Sequence, residues 1–249
     1  MNRLVLWHGW GMHPAAWNSL AAQLASEHGM TSYAQALPGY AGASAPVAYT
    51  LDAVVDGMLD ELRHLAEPIT LCGWSLGAML AMHAARRRPE KIGRLILIGA
   101  TPCFVQDAGW LHGMTPHAFA EFAGALGEDP HAVLKRFITL FNRQDANGRM
   151  IVRVLGGVLA EAGLPSIDTL ASSLGLLRDI DLRACVSGIA QPVLLLHGAN
   201  DPLMPLGAAE WLAAMLPQAR LEVLPAAAHA PFLSDTARCA ALIADAVHA

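Results

Sequence analysis

Over the first hundred residues, short apolar runs alternate with longer segments whose apolar positions recur every three or four residues. The near-continuous runs at 4–7, 69–72 and 95–98 predict strands buried on both faces of a parallel sheet, and residues 31–37, closing at Pro38-Gly39, predict another. Between them, 15–27, 50–66 and 76–87 predict crossover helices; in the second, Leu51, Val54, Val55, Met58, Leu59 and Leu62 fall on one face behind Thr50 as the opening residue. From about 101 to 184 the strand pattern stops, and helical pieces follow, broken at Gly113, Gly127, Asn147-Gly148 and Gly163-Leu164-Pro165. The α/β pattern then resumes with a strand at 193–196, a helix at 206–216, a strand at 221–224 and a helix at 235–247. The expected fold is α/β: a mostly parallel central sheet with helices on both faces, formed by residues 1–102 and 185–249, with a helical cap inserted at 103–184. In such a sheet a ligand sits at the carboxyl ends of the strands.

Composition narrows the function. Of 249 residues, 54% are hydrophobic, ample for a buried core, and only 15% are charged. The net charge of -5 offers no general attraction to nucleic acid or anionic lipid. A mean hydropathy of +0.38 raises the question of a membrane span, and residues 68–85 carry no charge. That stretch opens at Pro68, contains Gly73, Ser75, Gly77 and His83, and divides into a β-like run and a small-residue run, which predicts strand, turn and helix instead. The run at 4–7 is too short for a secretory leader, so a cytoplasmic protein is expected; a monomer is the default expectation, with nothing in the sequence that fixes the oligomeric state. Cys72, Cys103, Cys185 and Cys239 are far apart and in apolar settings, which predicts free thiols and neither disulfides nor a zinc site.

Gly73-Trp74-Ser75-Leu76-Gly77 falls between a predicted strand and a predicted helix. A strand that reverses sharply into a helix strains its central residue, and glycines two before and two after remove the Cβ atoms that would collide. Ser75 is therefore the candidate nucleophile, projecting at the sheet's upper edge with a helix N-terminus behind it. A serine hydroxyl needs a base and a carboxylate to orient that base, expected in the order Ser, Asp, His. Asp201 follows the strand at 193–196, and His229, in His229-Ala230-Pro231-Phe232, follows the strand at 221–224. The loop after 95–98, Gly99-Ala100-Thr101-Pro102, offers no competing acid. His8-Gly9-Trp10-Gly11 follows the first strand, so the backbone N–H groups of Trp10 and Leu76 are the expected oxyanion donors. His8 and His197 are expected to order their loops, and the remaining histidines have no metal-ligand spacing. No metal or cofactor is called for.

With these residues in place the chain resembles the α/β-hydrolases, from their third strand to their last helix, without the usual N-terminal β-hairpin. Within that superfamily it is similar to the pimeloyl-[acyl-carrier protein] methyl ester esterases of biotin synthesis. The likeness rests on His8-Gly9-Trp10-Gly11, Gly73-Trp74-Ser75-Leu76-Gly77, Thr101-Pro102-Cys103-Phe104, Asp181-Leu182-Arg183 and His229-Ala230-Pro231-Phe232. Ala78 stands where those esterases usually have a second glycine after the turn. The resemblance implies that Arg136-Phe137-Ile138-Thr139-Leu140-Phe141 belongs to a cap helix, with Phe137 and Phe141 lining the acyl channel. It extends the substrate-binding set to Trp10, Ser75, Leu76, Phe137, Ile138, Thr139, Leu140, Phe141 and His229.

Between 135 and 153 the acidic chain carries five bases, Lys135, Arg136, Arg143, Arg149 and Arg153, and one acid, Asp145. On residues alone this is a solvated helix face. Given the resemblance, Arg136, Arg149 and Arg153 become candidates for docking a strongly acidic acyl carrier protein. The expected function is a serine carboxylesterase that hydrolyses the methyl ester of a pimeloyl chain held on that carrier. The alternatives are hydrolysis of another acyl ester or of a carbon–carbon bond, since one triad serves many substrates, and a non-catalytic binding module. Epoxide hydrolases and haloalkane dehalogenases need a carboxylate where this chain has Ser75.

Overall fold

A computed structural model describes residues 4–248, so the outermost expected boundaries, at 1 and 249, lie outside it. Six strands, β1 (Leu4–Trp7), β2 (Ser32–Gln35), β3 (Ile69–Trp74), β4 (Ile92–Ile98), β5 (Val193–Gly198) and β6 (Ala219–Leu224), form one parallel sheet in the order β2-β1-β3-β4-β5-β6. β1, β3 and β5 are buried along their whole length, as their unbroken apolar runs require. β6 is half-exposed at the edge; its outward Arg220 and Glu222 hid its first residues from an apolar reading, which starts it two residues late.

The helices α1 (Asn18–His28), α2 (Leu51–Glu61), α3 (Leu76–Arg87), α8 (Leu206–Met215), α9 (Pro231–Ser234) and α10 (Thr236–His248) accompany the sheet. Thr50 opens α2 by accepting from the N–H of Ala53, and Val54, Val55, Met58 and Leu59 are its buried face. α2 stops at Glu61 rather than near 66, since the chain turns at 62–65 and runs on to Pro68, and a residue before proline is driven out of helical conformation. α3 is buried from Leu76 to Ala85, and its alanines and Gly77 let it lie close against the sheet.

Between β4 and β5 come four helices, α4 (Pro116–Leu126), α5 (Pro130–Phe141), α6 (Gly148–Ala162) and α7 (Ile167–Asp179). Thr115, Asp129 and Ser166 cap α4, α5 and α7 by accepting from backbone N–H groups three residues on. The segments entering and leaving this group are clasped by Arg183, whose guanidinium pairs with Asp107 at 2.5 Å and Asp181 at 2.6 Å and lies over the Trp110 ring. Those two carboxylates hold the Arg183 pKa far above its ordinary value. The clasp accounts for Asp181-Leu182-Arg183 as a structural feature. Among the described residues no helix is long and apolar enough to cross a membrane.

Candidate active site

The sheet order places the site. The chain leaves β1 for β2 on one side and returns to β3 on the other, so the carboxyl ends of β1 and β3, paired as far as Trp7 and Gly73, flank the point where the winding reverses. The loop after β1 carries Trp10, and the turn after β3 carries Ser75.

Ser75 has φ 58° and ψ -120°, a left-handed conformation that a side chain rarely adopts. Its neighbours hold it there. The Ser75 N–H donates to the carbonyl of Ile98 at 3.0 Å, while its own carbonyl accepts from Ala78 and Met79. The flanking glycines are required by contact: a Cβ on Gly73 would run into the Gly77 backbone, and one on Gly77 into the carbonyls of Trp7 and His8. Gly9 is less confined but close, since a Cβ there would stand 3.1 Å from the Ser75 Cβ. The loop bearing Trp10 therefore packs directly against the turn.

His229 and Asp201 form a buried pair. Asp201 Oδ2 accepts from His229 Nδ1 at 2.7 Å, and Asp201 Oδ1 accepts from the N–H groups of Leu203 and Met204 at 2.9 and 3.0 Å. Burial opposes the Asp201 charge, but His229, His197 and the Met204 N–H outweigh it and hold the carboxyl below its ordinary pKa. With Nδ1–H committed to Asp201, the lone pair lies on His229 Nε2, which is buried and has no partner among the described residues. The ring sits beside the turn: Trp74 Nε1 donates to the His229 carbonyl at 2.8 Å, the two rings are 5.7 Å apart, and Gly99, at φ 51°, approaches so closely that a Cβ there would stand 3.1 Å from the imidazole Nδ1. Neither the Trp10 N–H nor the Leu76 N–H finds an acceptor among the described residues.

His8 and His197 order loops. His8 Nε2 accepts from the Leu37 N–H at 3.1 Å, which puts its proton on Nδ1, facing the Gly9 carbonyl at 2.9 Å; burial drives its pKa down to about 4 and keeps it neutral. His197 Nε2 donates to the Met204 carbonyl at 2.7 Å and supports the loop of Asp201. Among the described residues no group of three His, Cys, Asp or Glu side chains gathers in metal-ligand fashion.

Helical periodicity divides the expected substrate-binding run. Phe137 and Phe141, four apart, face inward: Phe137 packs against Trp10 at 5.3 Å and Phe141 at 5.1 Å, and Phe141 reaches the His229 ring at 5.3 Å. Ile138 is buried toward α6. Thr139 and Leu140 lie elsewhere: a turn of helix carries them to the outer face of α5, where Leu140 is 46% exposed and the Thr139 hydroxyl donates back to the Lys135 carbonyl. They line an open cleft of about 850 Å³ between α4 and α5, with Lys135, Arg136 and Arg143 on its rim and Phe122 and Phe137 in its floor. Sequence reasoning missed Trp74 and Phe122 as parts of the aromatic wall; Trp74 stood inside the pentapeptide that marked Ser75.

The five bases are all exposed, and none has an ion-pair partner among the described residues, whereas Arg87, Arg178 and Arg183 are paired. Arg143 and Thr139 border both the main cleft and a second one that holds Arg149, and Lys135 borders both the main cleft and a third that holds Arg153. The bases thus form one continuous surface over α5 and α6. Asp145 is buried and forms no ion pair with any of them among the described residues.

Comparison with known proteins agrees with this architecture. Residues 4–242 match the model of the alpha/beta hydrolase family. The pimeloyl-[acyl-carrier protein] methyl ester esterase of Aromatoleum aromaticum is 43% identical over 99% of this chain and 99% of its own. The protein of the same name from Nitrosomonas europaea is 37% identical over 93% of this chain and 90% of its own. In structure, an esterase from Exiguobacterium antarcticum superposes with a TM-score of 0.90 over 100% of this chain and 92% of that one, at 24% identity, a likeness of fold. The chain belongs to the alpha/beta hydrolase family.

Proposed function

We propose that the protein is a serine carboxylesterase that hydrolyses the methyl ester of a pimeloyl chain carried on acyl carrier protein, as a cytoplasmic monomer without metal or cofactor. The observation that carries the chemistry is the buried His229–Asp201 pair with a free Nε2 beside a strained serine turn. The names of relatives at 37–43% identity over nearly the whole chain support the substrate.

In this reading Ser75 Oγ attacks the ester carbonyl while His229 Nε2 takes its proton. Charge on the carbonyl oxygen is met by the unengaged N–H groups of Trp10 and Leu76. The imidazolium returns the proton to the departing methoxide, methanol leaves, and a water activated by the same nitrogen releases the free pimeloyl carboxylate. The thioester to the carrier stays intact. Phe137 and Phe141 supply an apolar wall for the methylene chain, and residues 103–184 act as the cap that covers it.

Complementation tests this function. A biotin auxotroph lacking its esterase should grow without biotin when given this chain and should fail to grow with Ser75→Ala. Failure of the unaltered, expressed protein to restore growth would overturn the substrate assignment.

The unpaired bases on α5 and α6 fit an acidic partner. Arg136, Arg149 and Arg153 replaced together by Ala should raise KM for the carrier-bound ester by about tenfold or more, at roughly 1 kcal/mol or less for each exposed contact, and leave hydrolysis of a small free ester within twofold. These side chains would touch the carrier in ground and transition states alike. Added salt should imitate the substitution, since exposed charges are screened beyond about 8 Å at physiological ionic strength. Parallel loss on both substrates would show that the arginines support the cap instead.

A further inference from the structure

The one acid among those bases has a different task. Asp145 lies in the connection between α5 and α6, and its carboxylate is fully engaged: Oδ2 accepts from the buried Ala228 N–H at 2.7 Å, and Oδ1 accepts from the Asn147 N–H at 2.8 Å and the Ser234 hydroxyl at 2.7 Å. Ala228 directly precedes His229. The same connection makes further bonds to the same loop: the Ala146 N–H donates to the Ala226 carbonyl at 2.9 Å, Asn147 Nδ2 to the Ser234 carbonyl at 2.9 Å, and the His229 N–H reaches the Phe141 carbonyl at 3.4 Å. Residues 226–234 are thus held along their length by the cap, and the strongest attachment, a charge-assisted bond to a buried amide, is at the residue before the base.

Resting on the triad reading above, we propose that Asp145 is a positioning residue for His229: through the Ala228 N–H it fixes the loop so that the imidazole stays on Asp201 with Nε2 toward Ser75. Among the described residues the Asp145 carboxylate is the acceptor the Ala228 N–H has, and a buried amide left unmet drives its loop to rearrange. The arrangement ties the cap that covers the substrate to the base that takes the proton of Ser75.

Asp145→Asn tests this. The amide keeps size and removes one acceptor oxygen, so whichever way it turns at least one of the three donors faces an N–H group. Turnover of a short p-nitrophenyl ester should fall about 10- to 100-fold in kcat, the scale of a small misplacement of a catalytic group, with KM within twofold. Asp145→Glu, which keeps the charge and both acceptors one methylene further out, should recover part of the loss. The discriminating readout is the low-field proton resonance of His229 Nδ1–H bonded to Asp201. It should be present in the unaltered protein and displaced or broadened in Asp145→Asn. Its absence from the unaltered protein would count against the triad itself. Its persistence unchanged in Asp145→Asn, with kcat unmoved or with only thermal stability lowered, would overturn the positioning role. Should Asp145→Asn fail to fold, the resonance in Asp145→Glu decides, displaced in favour and unmoved against.

Discussion

Ser75→Ala is expected to lower kcat by about 10⁵-fold or more while the protein folds and still binds its ester. Removing the hydroxyl deletes the attack and the acyl-enzyme, leaving only what Trp10, Leu76 and binding contribute. The backbone at 75 stays strained at φ 58°, because alanine has the same Cβ. Ser75→Gly separates the two consequences: it should be equally inactive yet more stable than the unaltered protein by about 1 kcal/mol, since glycine adopts positive φ without penalty. Denaturant titration of both variants and labelling by a fluorophosphonate check this. Covalent labelling that persists in Ser75→Ala would place the nucleophile elsewhere. Loss of stability in Ser75→Gly would mean that the turn is held by contacts of the side chain itself.

The sheet and the placing of the proposed triad at its strand ends are legible in the sequence for a common reason. Buried parallel strands are continuous apolar runs, and the residues proposed to do the chemistry stand just past their ends, as Ser75 does after β3 and Asp201 after β5. What stayed hidden depends on contacts between distant segments. Asp145 is visible as the lone acid of a basic stretch, but its three donors lie at 147, 228 and 234, and nothing local announces two of them. Thr139 and Leu140 were grouped with Phe137 and Phe141 by motif, and the 3.6-residue period separates them onto opposite faces of α5. The ends of β2 and β6 blurred because edge strands are half solvated and mix polar with apolar residues.

Asp201→Asn should cost about 10⁴-fold in kcat with little change in KM. The reason lies in which protons the site can arrange. Asparagine keeps one oxygen for the Leu203 and Met204 N–H groups, the bonds now made by Oδ1. That turns its NH₂ toward His229 Nδ1, where the carboxylate accepted at 2.7 Å. The imidazole then meets the new donor with its lone pair and carries its proton on Nε2, the nitrogen that must receive the proton of Ser75. It also loses the negative charge that stabilises the imidazolium formed in the transition state. A second signature follows from the depressed pKa of Asp201. A carboxyl whose folded pKa lies below its unfolded value of about 4 contributes stability above that pH and loses it as pH falls through the folded value. The unaltered protein should therefore lose stability in acid below about pH 4, and Asp201→Asn should lose less over that interval. Turnover within tenfold of the unaltered enzyme would show that another carboxylate orients the imidazole, and an unchanged acid dependence of stability would show that Asp201 is not held ionised by the site.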